Sequence, residues 1–295
     1  MPKSGIFAEV ALVGVVAVWG WTFVTVKDAT ESVPIFTFLA LRFTVAALGF
    51  APLLLLRRRR AATLGQRTGK GRSTVGVGIG AGVILALGYA LQTFGLSETA
   101  SGRSGVITGI SVALVPIGMG TLFHQKVRRA EWTGVVLALV GFLILGTGDA
   151  PLGAGDLLVL GCAVAFAAHV IALGRWASGR SVVALAAAQV TTAAILFAIA
   201  AVIFEGDQGL PQIEGSAWRA VILTGLVATT LGFAVQTRAQ QVASPTRIAL
   251  ILALEPVFAL LAGHLWHDEK FGLGAILGSG LVLAGMLSAE LSPRS

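Results

Sequence analysis

The chain has one cysteine, Cys162, so it forms no intramolecular disulfide and no multi-cysteine metal site. Charge is scarce as well. Asp, Glu, Lys and Arg make up 12% of the residues, against about 25% in an ordinary soluble domain. The short motifs that mark soluble enzymes are missing. There is no metal-binding His pair on one helix face, no Walker loop ending in Lys-Ser or Lys-Thr, and no nucleophile elbow. The run Gly-Val-Gly-Ile-Gly at Gly76 to Gly80 looks suited to phosphate, but it lies inside an apolar span. It reads as small-residue helix packing together with Gly82. The expectation is a protein without catalytic residues, metal or cofactor, and not an enzyme.

Apolar length and glycine are abundant. Hydrophobic residues reach 56%, and there are 38 glycines. The mean hydropathy is +0.87. A membrane span needs about 20 apolar residues. Ten such runs occur, near 8–26, 34–56, 73–95, 103–123, 131–148, 156–174, 182–204, 218–237, 247–266 and 272–290. This is the pattern of an all-α integral membrane protein with ten transmembrane helices. The N-terminus imitates a signal peptide, with Lys3 before an apolar run. That run is too long for an h-region and reaches Lys27-Asp28 with no small-residue cleavage site, so it reads as an uncleaved first helix.

The net charge of +7 does not point to nucleic acid, because the basic residues cluster in short loops between spans. With the N-terminus in the cytoplasm, the cytoplasmic side receives Lys3, Arg57 to Arg60, Arg67, Lys70, Arg72, Lys126, Arg128, Arg129, Arg175, Arg180, Arg238, Arg247 and Arg294. The other side receives Lys27, Arg103, Arg219 and Lys270. This asymmetry sets both termini in the cytoplasm. The basic stretch 57–72 reads as a topology anchor, with an anionic-lipid site as the alternative.

The two halves share a text. Gly88-Tyr89-Ala90-Leu91-Gln92-Thr93 matches Gly232-Phe233-Ala234-Val235-Gln236-Thr237, and Ala113-Leu114-Val115-Pro116 matches Ala253-Leu254-Glu255-Pro256. Trp19 aligns with Phe166, Thr22 with His169, Arg42 with Gln189, Gly134 with Gly278 and Gly141 with Gly285. Five spans per half is odd, so residues 149–295 are expected to repeat residues 1–148 with inverted topology.

Ionisable residues inside a membrane are functional candidates because inserting them is expensive. Arg42, His169 and Glu255 lie deep in their spans, whereas His264 lies near an end. Glu255 is followed by Pro256, which removes a backbone donor, and a helix break is expected at Pro116 and at Pro256. A buried carboxyl that packs helices remains the alternative for Glu255. His169 suits a helix–helix hydrogen bond better than a ligand contact. Trp19 and Trp21 cannot both face one cavity, since they point to different sides of the helix. The amides of Gln92 and Gln236 need partners in lipid, either helix neighbours or a polar solute. Arg42 and Glu255 reach similar depths, and either neutralise one another or stand as independent groups.

Trp19-Gly20, Ser101-Gly102-Arg103-Ser104-Gly105-Val106-Ile107-Thr108-Gly109, Val112-Ala113-Leu114-Val115-Pro116 and Ser244-Pro245-Thr246-Arg247 through Leu254-Glu255-Pro256-Val257-Phe258 resemble the drug/metabolite transporter superfamily, specifically its EamA-type exporters. The resemblance covers nearly the whole chain. It implies a secondary transporter of the inner (plasma) membrane that exports small metabolites such as amino acids by alternating access. The resemblance assigns Trp19 to a central pathway. Arg42, Tyr89, Gln92, His169, Gln189, Gln236 and Glu255 complete the expected pathway set. The expected partners are a small-molecule substrate and membrane lipid, with no nucleic acid. An importer or antiporter of another solute is the alternative, and a membrane-embedded lipid-processing enzyme a more distant one.

Overall fold

A computed structural model describes residues 3–63, 71–99, 101–145, 153–206, 213–267 and 272–291. Gln66 and the charged residues Arg67, Lys70, Asp149, Asp207, Asp268 to Lys270 and Arg294 lie outside them. Every regular element among the described residues is helical. In a hydrocarbon environment each backbone N–H and C=O has to be paired within its own segment, and long apolar helices do that.

The helices run α1 Lys3–Thr30, α2 Ile35–Thr63, α3 Gly71–Glu98, α4 Ser101–Gly109, α5 Ser111–Phe123, α6 Arg129–Leu145, α7 Ala154–Trp176, α8 Val182–Glu205, α9 Gly215–Leu223, α10 Gly232–Ala239, α11 Pro245–Leu252, α12 Glu255–His267 and α13 Leu273–Leu291. Counting α4 with α5, α9 with α10, and α11 with α12, eight described spans are long and apolar enough to cross a membrane. The remaining two described apolar helices, α6 and α13, overlap the expected spans 131–148 and 272–290.

Small residues let the helices close on one another. A Cβ added to Gly134 would lie 2.5 Å from the Gly285 carbonyl, and one added to Gly141 would lie 2.6 Å from the Gly278 carbonyl. Those contacts bind α6 to α13. Gly20 is equally tight: its added Cβ would meet Phe258 Cβ at 2.6 Å and the Glu255 carbonyl at 2.8 Å. The backbone of α1 therefore rests directly on the start of α12. Phe38, Phe43, Phe50 and Leu12 fill the interior. Phe7, Leu122, Val202 and Leu265 stand exposed on the perimeter, where acyl chains would cover them.

Three spans are irregular. The first interruption lies at Ile110, between α4 and α5, and the second at Ala253-Leu254, between α11 and α12. Pro256 is the second residue of α12. The break expected at Pro116 is corrected: α5 runs through it. A proline inside a helix withholds one N–H, here from Val112, but the remaining turns hold. The Ala-Leu-x-Pro match is one turn out of step, because α5 and α12 are both 13 residues long and carry their prolines at the sixth and second positions. Unforeseen from sequence is a π-helical stretch, Thr224–Leu231, between α9 and α10. Its wider turns are tied by threonine hydroxyls that reach five residues back: Thr229 donates to the Thr224 carbonyl at 2.8 Å, and the Thr230 hydroxyl is shared between the Gly225 carbonyl at 3.1 Å and the Ala46 carbonyl of α2 at 3.0 Å.

Candidate functional site

Both interruptions open onto one central cavity. Gly109 and Ser111 line it from the first, and Leu252, Glu255 and Pro256 from the second. It offers about 50 Å³ to water centres, room for roughly four waters. A larger groove of about 310 Å³ lies elsewhere, between α1, α9 and Trp266. The central cavity is the better candidate because broken helices and buried polar side chains converge on it. Trp19 lines the cavity, whereas Trp21 turns to the groove and packs on Trp266 at 6.2 Å.

Six of the eight expected pathway residues line the cavity: Trp19, Tyr89, Gln92, His169, Gln236 and Glu255. The other two stand one layer behind. The Gln189 amide takes a 2.7 Å hydrogen bond with His169 Nε2 and donates to Thr237 Oγ1 at 3.1 Å. That orientation of the amide makes Nε2 of His169 the donor, so His169 does form a helix–helix hydrogen bond. Arg42 is fully buried. Its Nε donates to Thr229 Oγ1 at 3.1 Å, its Nη2 has no hydrogen-bond partner, and its Cζ lies 4.9 Å from the Tyr89 ring centre. Arg42 and Glu255 form no ion pair within 4.0 Å. Tyr89 carries the guanidinium on its ring and lines the same cavity as Glu255.

Sequence reasoning missed several wall residues. Phe233 packs on Trp19 at 5.7 Å, on His169 at 6.0 Å and on Tyr89 at 6.3 Å, and Phe166 packs on Tyr89 at 5.4 Å. Thr22, Thr108 and Ser111 add hydroxyls. The repeat alignment was the signal available: Phe166 aligns with Trp19, and Phe233 with Tyr89. Trp19 Nε1 donates at 2.7 Å to the Ala228 carbonyl in the π-helical stretch. The π-helix thus supplies an acceptor that fixes the indole.

An ion pair lies at each end of the bundle. Arg247 of α11 pairs with Glu9 of α1 at 3.2 Å, with the side chains 6% and 4% exposed. Nearby, Ser244 Oγ donates to Glu131 at 2.8 Å. At the other end of α1, Lys27 Nζ donates to the Thr99 carbonyl and Thr99 Oγ1 donates to Asp156, both at 2.9 Å. Asp156 of α7 pairs with Arg103 of α4 at 2.8 Å. Glu9 and Lys27 are eighteen residues apart on one helix, so the clusters are separated by roughly 27 Å. Trp19 and Thr22 place the cavity between them.

The chain matches the family model described as EamA-like transporter family over residues 6–147 and again over 153–289. It is 31% identical over 278 residues to an uncharacterized transporter of Archaeoglobus fulgidus, covering 92% of this chain and 84% of that one. It is 22% identical to the uncharacterized inner membrane transporter YedA of Escherichia coli K12, over 95% and 90% of the two chains. A solved crystal structure superposes with a TM-score of 0.73 at 20% identity over 96% of each chain, a likeness of fold. Matched along both halves and built of membrane-length apolar helices, this multi-pass membrane protein belongs to the EamA-like transporter family.

Proposed function

We propose that the protein is a secondary transporter that exports small metabolites by alternating access, through ten spans arranged as two inverted five-helix repeats. The observation that carries this is the matched pair of closures. A shift of 147 carries the start of α2, Ile35, to the start of α8, Val182. A shift of 144 carries the starts of α3, α4, α5 and α6 to those of α9, α11, α12 and α13. The same shifts carry Glu9 to Asp156 and Arg103 to Arg247. The two ion pairs are therefore counterparts, each joins one half to the other, and they occupy opposite ends of α1. The glycine contacts support the same symmetry. Exchanging the halves turns the Gly134–Gly285 contact into the Gly278–Gly141 contact, as a two-fold axis requires.

With the orientation read from the loop charges, Glu9–Arg247 closes the cytoplasmic end and Asp156–Arg103 the outer end. Both are formed here, and the cavity between them has room for only a few waters. A solute enters when one pair parts, and rocking of the halves exchanges which pair is open. Trp19, Tyr89, Gln92, His169, Gln236 and Glu255 form the wall the solute meets, and Arg42 and Gln189 support it. The partners are a small solute and membrane lipid, with no role for nucleic acid. The location is the inner membrane with both termini cytoplasmic.

Purified protein in proteoliposomes is expected to move at least one small metabolite down its gradient without nucleotide hydrolysis. A panel without flux or counterflow, alongside turnover of a membrane lipid, would overturn transport in favour of an enzyme. Orientation is tested on a Cys162→Ala background. Gln125→Cys is expected to react only from the cytoplasm and Ser216→Cys only from outside, both positions being exposed. The closures are tested with a reporter in the cavity, Ser111→Cys. Glu9→Gln should raise its labelling by an impermeant thiol reagent from the cytoplasmic face, and Asp156→Asn from the outer face. Equal labelling from both faces in both variants would reject them as gates.

A further inference from the structure

We infer that the central cavity recognises its solute through an ammonium group. This rests on the transport reading above and names the substrate class: small organic cations, either protonated amines or quaternary ammonium compounds.

The first argument is charge. Glu255 is the one charged residue on the wall, which carries no Lys or Arg. The residue is half-buried and has no ion partner within 4.0 Å among the described residues. A carboxylate at this depth is stable only with a proton or a cation beside it. The nearest arginine, Arg42, sits behind Tyr89 and is absent from the wall. It moderates the negative field of the cavity but presents no donor to a solute. A solute bearing a carboxylate would face Glu255 with no cation on the wall to receive it.

The second argument is hydrogen-bond polarity. The Trp19 indole donor is held by Ala228, the Thr22 hydroxyl donates to the Trp19 carbonyl at 2.7 Å, and the Thr108 hydroxyl donates to the Ser104 carbonyl at 2.9 Å. Their donors are engaged within the protein, the Thr108 oxygen already accepts from Gln92 Nε2 at 3.5 Å, and the buried Oε1 of Gln236 is an acceptor with no hydrogen-bond partner among the described residues. Gln236 Oε1 and the Glu255 carboxyl offer acceptors to a donating ligand, beside the Tyr89 and Ser111 hydroxyls, which can donate or accept. The third is the aromatic lining. Trp19, Tyr89, Phe166 and Phe233 form one continuous cluster around the cavity. Aromatic faces attract cations, alkylated ammonium included, and the attraction grows where water is excluded.

The test uses full-length protein in nanodiscs and titration calorimetry with isosteres that differ in charge. Choline is compared with 3,3-dimethylbutanol, its neutral isostere, and with 3,3-dimethylbutanoate. Butylammonium is compared with norvaline, the same chain carrying a carboxylate. At least one of the two cations is expected to bind, and choline or butylammonium to bind at least tenfold more tightly than the neutral and anionic compounds. Butylammonium is expected to bind no more weakly than norvaline. Glu255→Gln should lose at least tenfold in cation affinity. The comparison in the native protein needs no variant, so misfolding of that one leaves the test intact. Equal binding of isosteres, tighter binding of the anion, norvaline tenfold tighter than butylammonium, or no binding of either cation overturns the inference. Counterflow of anionic or neutral metabolites alone in proteoliposomes also overturns it, and leaves the transport reading standing.

Discussion

Arg42 on α2 and Gln189 on α8 hold matching positions in the two halves, and both stand one layer behind the cavity wall. They meet their surroundings differently. Gln189 has both ends of its amide bonded, to His169 and Thr237. Arg42 is bonded through Nε, leaves Nη2 without a partner, and leans on Tyr89. The wall differs in the same way: Ser111 begins α5 where Glu255 begins α12. The duplicated frame is shared, and the charge placed on it is not. Arg42 from the first half and Glu255 from the second polarise one small cavity.

The comparison breaks hardest at the two closures. Glu9→Ala removes the carboxylate paired with Arg247, whose side chain is 6% exposed. It is expected to destabilise the protein by about 3–5 kcal/mol, the range for removing one partner of a buried pair. Asp156→Ala should cost less than half of that, because Arg103 is 23% exposed and reaches water. Thermal unfolding of the purified variants measures both, and equal losses would contradict the burial argument.

Next is a contact that only the first half makes through a glycine. The 147 shift carries Gly20 to Ala167, which already has a Cβ and is buried. Gly20→Ala pushes against the backbone of α12 and is expected to cost about 3 kcal/mol with loss of flux. Ala167→Gly should cost about 0.5–1 kcal/mol, the ordinary penalty for glycine in a helix. Third is Gln189→Leu, which leaves His169 and Thr237 without their partner and should cost about 1–3 kcal/mol. The smallest effect is expected from Arg42→Gln, which makes the first half resemble the second. It removes a buried charge together with its unbonded Nη2, so stability should shift by less than about 1 kcal/mol. Flux should fall all the same, because the charge opposing Glu255 is lost. A large loss of stability would show that Arg42 is chiefly structural.

Much of this site was legible along the chain. Trp19, Tyr89, Gln92, His169, Gln236 and Glu255 stood out because polar or amphipathic groups are rare in apolar spans, and the wall does contain them. Phe166 and Phe233 were hidden because a phenylalanine in a membrane helix is ordinary; only its alignment with Trp19 or Tyr89 distinguishes it. The π-helical stretch carries no proline or charge to announce it. Its signal is three threonines whose hydroxyls reach back along the helix. Pro116 misled because a proline that matches another in sequence need not match it in turn.

By itself the sequence determined the membrane environment, the number and rough limits of the apolar runs, and which polar groups would be too expensive to leave in lipid. Those properties are sums over neighbouring residues, and composition and spacing carry them. Tertiary structure alone decided that the interruptions fall at Ile110 and Ala253-Leu254, that Arg42 rests on the ring of Tyr89 while Tyr89 and Glu255 line one cavity, and that Glu9 meets Arg247. The last contact joins residues 238 positions apart. Its strength depends on how closely glycine-lined helices approach and how much water they exclude, which is a property of the packed bundle.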